Sequence, residues 1–413
     1  MRLFRPTSNA AILGWVAFCS GLAQEMIYPL LPTFVVVALG TSKTTLGGIE
    51  GALAVGVTIA RLGSGRLLAR RTSPRRLVRW SYGLSLTARP LMAAATGPAA
   101  VTALRVADGL GKGGKDAPRD TLVAADLHED HFGRGFGIQR ALDTLGSVAG
   151  PIVAGLLLLA FGHGSAGLRT VFALSAIPGM VAMVLLRRVR DYVPPASSVQ
   201  QHAQPPARLP RAFWLLLIPV TLFGLANSSD TLLLLRARDA GVSAAGLAFA
   251  YAAFNLVYAA LAVPAGTLSD RIGRRPLLVV AWLGYAAVYL GFAFTHRALA
   301  LIGLFLFYGV YYATADGTMK AWIASLADGP SRGRAYGYYA AASGVLTLPA
   351  GLIAGSLWDH HGPAPAFVFG SVLALLATVT LMLPVLVGHQ PMPAATTDGD
   401  SQSVATKDRP HRR

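Results

Sequence analysis

The sequence predicts an all-α integral membrane protein of twelve transmembrane helices arranged as two six-helix pseudo-repeats. Three observations carry that prediction. Of 413 residues, 54% are hydrophobic and only 13% charged, too apolar a balance for one water-soluble core of this size. Apolar runs of roughly 20 residues, the length that crosses a bilayer, recur from one end of the chain to the other. The two halves also repeat each other at a fixed offset.

In order, the first six spans are expected near 11–39, 45–68, 77–96, 98–124, 134–160 and 170–187. The second six are expected near 212–235, 245–268, 276–295, 298–325, 334–357 and 365–388. The basic-then-apolar N-terminus has the outline of a signal peptide. Its apolar stretch is too long, however, and lacks a small-residue cleavage site, so it reads as an uncleaved first span. Between the halves stands DYVPPASSVQQHAQPPARLPR, polar and rich in proline, glutamine and serine, a linker rather than a span. The expected organisation is therefore an N-terminal bundle over 1–190, a cytoplasmic linker over 191–210, a C-terminal bundle over 211–388 and a disordered cytoplasmic tail over 389–413. The single Cys19 excludes an intramolecular disulfide.

The formal net charge of +17 invites a nucleic-acid reading, but its distribution argues against one. Basic residues cluster in short loops between apolar runs, as in RRTSPRR from Arg70 and RRVR from Arg187, instead of forming one continuous face. Such loops are the positive-inside signal. With both termini in the cytoplasm, the cytoplasmic loops collect Arg70, Arg71, Arg75, Arg76, Arg187, Arg188, Arg190, Arg271, Arg274 and Arg275. The opposite side keeps only scattered bases such as Lys43, Arg169 and Arg297. This asymmetry sets the expected orientation in a bacterial-type inner membrane.

The internal repeat is visible at an offset of 200 residues. GRGFG at Gly133 matches GRAYG at Gly333, and DAPRDTLVAA at Asp116 sits over DGTMKAWIAS at Asp316. Parallel repeats of six spans place a substrate site at the interface between halves, near the midplane.

At this point the motifs resemble those of the major facilitator superfamily. GTLSDRIGRRP, from Gly266 to Pro276, is similar to its signature loop. In the first half that loop is degraded, with Ala69 where the second copy has Asp270. Arg105, Gly109 and Gly113 match an R-x3-G-x3-G pattern of span four. Gly146, Gly150, Pro151 and Gly155 resemble the glycine–proline motif of span five in proton-coupled exporters. QEMIYPLLPTF, GKGGKDAPRDTLVAAD and GFGIQRALDTLGSVAGP are similar to one bacterial subfamily that is largely without assigned substrates. The resemblance implies a secondary active transporter, not an enzyme, working as a monomer on a small-molecule substrate and protons, with no cofactor. Proton-coupled efflux is the expected activity. Uptake of an organic solute by proton symport, or export of a divalent metal, are the alternatives.

The signature loop also has a physical reading. Asp270 lies beside Arg271, Arg274 and Arg275, between Gly266 and Gly273, where a carboxylate can cap a helix and pair with arginines. Such a contact can hold the halves in one state and release in the other. The bland reading is a topogenic loop whose arginines snorkel to the interface.

Span four is unusually charged. RVADGLGKGGKDAPRD, from Arg105 to Asp120, holds seven charged residues in sixteen. Arg105, Asp108, Lys112, Lys115 and Arg119 recur at spacings of 3 and 4 and share one helical face. Gly109 and Gly113 beside them suit close helix packing. A phosphate-binding loop is excluded, because Asp116 replaces the hydroxyl that would hold magnesium and no strand precedes it. Arg119 lies about 20 Å along the axis from Arg105. The deep part of the stripe is thus expected to line a cavity, and Arg119 and Asp120 to belong to the cytoplasmic gate, with Pro118 ending or bending the helix.

The expected cavity comprises Glu25, Tyr28, Arg105, Asp108, Lys112, Arg140, Asp143, Asp230 and Asp316. Asp108 is expected to stay ionised between Arg105 and Lys112. Glu25, Asp143 and Asp230 are the candidates for proton coupling. Glu25 stands out, a carboxyl in low dielectric just before Pro29 and Pro32 break the helix. Asp143 has Arg140 at i−3, and Asp316 has Lys320 at i+4, so local pairing is the competing explanation for both. Glu50 reads as lying near the outer mouth. His360 and His361 read as solvated residues of an outside loop, too few for a metal site. Membrane-depth acids and bases balance, so the sequence leaves the cavity's sign open.

Overall fold

The structure, a computed structural model, describes residues 8–70, 72–125, 127, 132–192, 208–327 and 329–383. These residues form fourteen α-helices and no strand. The first half contains α1 (Asn9–Ile27), α2 (Lys43–Ala69), α3 (Pro74–Leu91), α4 (Pro98–Ala125), α5 (Phe132–Phe161), α6 (Ser165–Leu174) and α7 (Ala176–Arg187). The second contains α8 (Arg211–Ala226), α9 (Asp230–Asp239), α10 (Ala244–Ile272), α11 (Arg274–Phe294), α12 (Ala298–Leu326), α13 (Gly329–His361) and α14 (Pro363–Met382). Since α6 with α7 and α8 with α9 are each one interrupted rod, the helices make the twelve rods the sequence predicts. Ten of the rods are long and apolar enough to cross a bilayer. The other two are α3 and α4, which carry the buried Arg89, Arg105 and Asp108. Most of the linker (193–207), the end of the last span (384–388) and the tail (389–413) lie outside the described residues.

Local chemistry explains where the rods start and break. Ser8, Ser42 and Ser73 cap α1, α2 and α3 by accepting from backbone amides three residues on. Past Ile27, Pro29 and Pro32 withdraw two amide donors, and the chain continues as a 3-10 turn (Tyr28–Leu30) and a π turn (Thr33–Ala38). A matching break occurs in the second half, where the sequence suggests one continuous span over 212–235. Instead α8 stops at Ala226, Asn227 leaves the helical region, and Ser229 caps a new helix that begins with Asp230. Asn-Ser-Ser favours this outcome because short polar side chains compete with helical backbone bonds. A second difference concerns Pro118, which does not end α4; the helix runs on to Ala125. A third concerns His360 and His361, which form the last turn of α13 and not a loop.

Glycine controls several tight features. Gly273 alone separates α10 from α11, at φ 93, a region closed to most side chains. Gly109 and Gly113 let the backbone of α4 rest on that of α2; a Cβ on Gly109 would stand 2.5 Å from the Leu53 carbonyl oxygen. Gly146 and Gly150 similarly seat α5 on α1, the second against Leu22 and Glu25, while Gly155 receives the ring of Phe249 from α10.

The halves meet through α2 with α13 and α5 with α10, and the contact is concentrated at one end. There Gly47 and Gly51 lie against Gly351 and Leu348, and Asn255 donates to the Ser147 carbonyl at 3.0 Å. Asp359, at the end of α13, caps α2 from the opposite half. Its carboxylate accepts from the amides of Lys43 (3.0 Å) and Thr44 (2.9 Å) and from the Thr44 hydroxyl (2.7 Å). Further along α2 the halves separate around a cavity of about 420 Å³.

Candidate functional site

The cavity has different walls in the two halves. From the first come Leu53, Ala54, Val57, Thr58, Arg61 and Lys112. The second contributes an aromatic wall that includes Phe223, Trp282, Tyr311, Tyr312 and Tyr339, together with Asp316. A second space, lined by Arg61, Arg66, Lys320 and Tyr336, continues toward the far end of α2. Of the residues the sequence assigned to the cavity, Lys112 and Asp316 line it. Lys112 forms no hydrogen bond or ion pair among the described residues. The charges of Arg61 and Asp316 are spent locally: Arg61 pairs with Asp116 at 2.9 Å and Asp316 with Lys320 at 2.8 Å.

Behind this wall, between α1, α2, α3 and α4, lies a buried charge network. Arg105 reaches Glu50 through Nη2 at 2.6 Å and Nε at 3.1 Å, and Asp108 through Nη1 at 3.3 Å. Asp108 also accepts from Arg89 Nε at 2.9 Å and from the Ser85 hydroxyl. Arg89, 1% exposed, donates onward to the Ser20 carbonyl at 2.8 Å and to Gln24 Oε1 at 3.1 Å. The Gln24 amide then donates to Glu25 Oε1 at 2.7 Å. One hydrogen-bonded path therefore links Glu50 to Glu25 through four helices. Burying such charges is costly unless each is paired, and every guanidinium here is.

This network corrects two sequence expectations. The second cation on Asp108 is Arg89, supplied by α3, and not Lys112. Glu50 belongs inside; the glycines around it serve the contact with α13, not an outer mouth. Arg105 and Asp108 are consequently buried within their half, at 3% and 1% exposure, and do not open to the cavity. Arg89, Gln24 and Glu50 were not assigned to the site from sequence. An arginine in the otherwise apolar stretch LSLTARPLM was the available signal.

The path ends at a carboxyl that is only half satisfied. Glu25 Oε2 is buried without a hydrogen-bond partner, with Lys112, Arg89 and Asp143 as its charged neighbours. Tyr28, three residues on, packs against Tyr251 of the other half, ring centroids 5.3 Å apart and tilted at 46°. Asp230 occupies the corresponding break in the second half. It heads α9, where the helix N-terminus favours negative charge, and accepts from the hydroxyls of Tyr308 (2.9 Å) and Tyr312 (3.1 Å). Those rings belong to a cluster with Tyr285, Tyr289 and Tyr311, in which Tyr285 and Tyr289 stack at 4.1 Å. The sequence reading did not single out these tyrosines, although YGVYY, from Tyr308 to Tyr312, was a dense enough run to mark.

The remaining candidates lie elsewhere. Arg140 and Asp143 pair loosely at 3.7 Å and share a small pocket of about 220 Å³ with Arg119 and Asp120. Arg119 pairs with Asp120 at 3.0 Å and more loosely with Asp116 at 3.8 Å. Lys115 lies over the Tyr82 ring at 4.8 Å. Asp270 and Arg271 are exposed at the end of α10 and form no ion pair among the described residues. Arg274 opens α11, and Arg275 Nε donates to the Leu381 carbonyl at 3.0 Å, capping α14. Among the described residues no group of three or more His, Cys, Asp or Glu side chains gathers.

Two pseudo-repeated bundles, closed at one end and parted around a cavity at the other, with broken helices at the centre, define a membrane transporter. Residues 13–240 and 231–409 match the Major Facilitator Superfamily, and the chain belongs to it. It is thus a multi-pass membrane transporter for a small molecule, not an enzyme. It is 28% identical over 382 residues, 91% of this chain and 94% of the relative, to an uncharacterized MFS-type transporter of Methanocaldococcus jannaschii. It is 31% identical over 184 residues, 44% of this chain and 35% of the relative, to the multidrug efflux pump LfrA of Mycolicibacterium smegmatis. Its fold is similar to the crystal structure of the nucleoside transporter NupG. That likeness has a TM-score of 0.73 at 12% identity and covers 92% of this chain and 98% of that one.

Proposed function

We propose that the protein is a proton-coupled exporter of a small molecule, a monomer of the inner membrane that works by alternating access with both termini in the cytoplasm. The observation that carries this reading is Glu25 Oε2, a buried carboxylate oxygen without a partner beside a helix break. A carboxyl so placed can take up and release a proton as the halves move, whereas Asp108 is held by two arginines and a serine. Asp230 and, less directly, Asp143 are the further candidates. The partial similarity to an efflux pump supports the export direction. If the arginine-rich loops are cytoplasmic, the cavity is open to the cytoplasm and sealed on the outer side at Asp359.

A susceptibility screen, deletion against overexpression across drugs and divalent metals, nominates substrates. Adding a nominated substrate to everted vesicles with an acidified lumen should then release protons. A flat proton trace across all nominated compounds sinks the export reading. One observation favours a second reading. The unpaired Lys112 ammonium in the cavity wall suits an anion, which a protonated Glu25 would help admit, and that pairing gives symport. Net accumulation of an organic anion by right-side-out vesicles, driven by an inward proton gradient, would select it.

The same scheme makes Asp270, with Gly266, Gly273 and the arginines 271, 274 and 275, the cytoplasmic gate. Disengaged in this cavity-open form, Asp270 would pair in the form closed to the cytoplasm. Asp270→Asn is expected to insert normally and bind substrate unchanged, with turnover lowered about tenfold, the worth of one charge-assisted contact. An unchanged turnover would leave the loop a topogenic role only.

A further inference from the structure

A second basic cluster lies far from the cavity, where the start of α3 meets the end of α7. A pocket of about 430 Å³ is lined there by Ser73, Arg75, Arg76, Arg79, Trp80 and Asp191. Arg187, Arg188 and Arg190 stand in the adjoining segment, at and just past the end of α7, and the pocket's three arginines share a single carboxylate, Asp191. That carboxylate is already committed. Asp191 accepts from the Ser73 hydroxyl at 2.6 Å and from the amides of Arg75 (3.2 Å) and Tyr192 (3.0 Å). Burial works against its charge, but these bonds hold it below the usual aspartate range. None of the six arginines forms an ion pair among the described residues.

Structural work accounts for only part of this charge. Arg79 ties α3 to α7 by donating to the carbonyls of Leu186 (3.1 Å) and Arg187 (2.8 Å). Arg75 reaches the Arg187 carbonyl only through Nη2, at 3.4 Å, and its Nε is buried with no hydrogen-bond partner. Arg76 is exposed and makes no side-chain bond among the described residues.

The pocket also continues into an apolar strip. Trp80 is 75% exposed and Leu84 42% on α3, beside Met183 at 38% and Val184 at 53% on α7. The two helices touch there, with Met183 Cε 3.6 Å from where a Cβ on Gly83 would stand. A ligand that fills both regions has an anionic head and a long apolar body.

We infer that the Arg75–Arg76–Arg79 pocket binds the phosphate headgroup of an anionic phospholipid, whose acyl chains run along Trp80, Leu84 and Val184. Arginines without an ion-pair partner that line an empty space suit phosphate oxygens, which guanidinium groups engage two at a time. Basic pockets between helix ends are suited to such headgroups. A free phosphate ion shares the head chemistry but leaves the apolar strip without a role.

The test uses the full-length protein in nanodiscs that contain phosphatidylglycerol and phosphatidylcholine, read by the lipids retained after mild detergent extraction. Wild type should retain phosphatidylglycerol at least fivefold over its bulk share. Both Arg76→Gln and the pair Arg75→Gln, Arg76→Gln should lose that preference. Arg76 is exposed and unbonded, so its replacement keeps the test valid if the double variant does not fold. The pair Arg271→Gln, Arg274→Gln removes the same charge elsewhere and should keep the preference. Equal retention of both lipids by wild type, an intact preference in Arg76→Gln, or equal loss in the control pair would each overturn the site. Displacement of phosphatidylglycerol by millimolar inorganic phosphate would assign the pocket to the free ion and overturn the lipid.

Discussion

Asp108→Ala is expected to give a protein that inserts but does not survive extraction. Two guanidinium groups, Arg89 and Arg105, converge on this carboxylate; alanine leaves Arg105 with Glu50 but Arg89 buried without a carboxylate, on Ser20 and Gln24 alone. Removing one partner from a buried ionic network costs about 3–5 kcal/mol, a large share of a typical total stability. Asp108→Asn keeps an acceptor for Arg89 and Ser85 and should be milder, with lower yield and a reduced melting temperature. Thermal melting and monodispersity in detergent check both. If Asp108→Ala melts like wild type, the network adds nothing to stability.

Glu25→Gln is expected to separate the two functions that Asp108→Ala destroys together. Glutamine keeps the shape and the bond to Gln24 while removing the titrating proton. Uphill, proton-driven transport should be abolished, with at least a hundredfold loss of the accumulated gradient, while downhill exchange of substrate continues. Paired assays in proteoliposomes, with and without a pH gradient, measure this split. If the variant still concentrates substrate, the proton site lies elsewhere and Asp230 is the next to test. Its replacement by asparagine would keep the bonds from Tyr308 and Tyr312.

Much of this architecture was legible because it follows from local rules. Span lengths, the duplicate GRGFG and GRAYG segments that open their helices and the proline break after Tyr28 need no knowledge of distant residues. The i,i+3 and i,i+4 pairs Arg140–Asp143 and Asp316–Lys320 were legible for the same reason. Helical periodicity also put Arg105 and Asp108 on one face, but a face does not name its partner. Glu50 is 55 residues from Arg105 and Arg89 is 19 from Asp108. Both pairings depend on how closely α2 and α3 approach α4, which Gly109, Gly111 and Gly113 decide. Nor does counting charge by depth separate buried network from cavity wall, so Arg105 and Asp108 were expected to be open when only Lys112 is. The break at Asn227–Ser229 was missed because three polar residues barely lower the hydropathy of a long apolar run.

The cap that Asp359 places on α2 has a consequence in time. Asp359 follows Lys43 by 316 residues, and ribosomes add roughly 5–20 residues per second. The start of α2 therefore spends on the order of 15–60 s in the membrane before its capping carboxylate has been made. During that interval water or lipid headgroups must satisfy the Lys43 and Thr44 amides. The seal between the halves is thus closed by one of the last helices to leave the ribosome, and the nascent protein stays unlatched at that end until its synthesis is nearly complete.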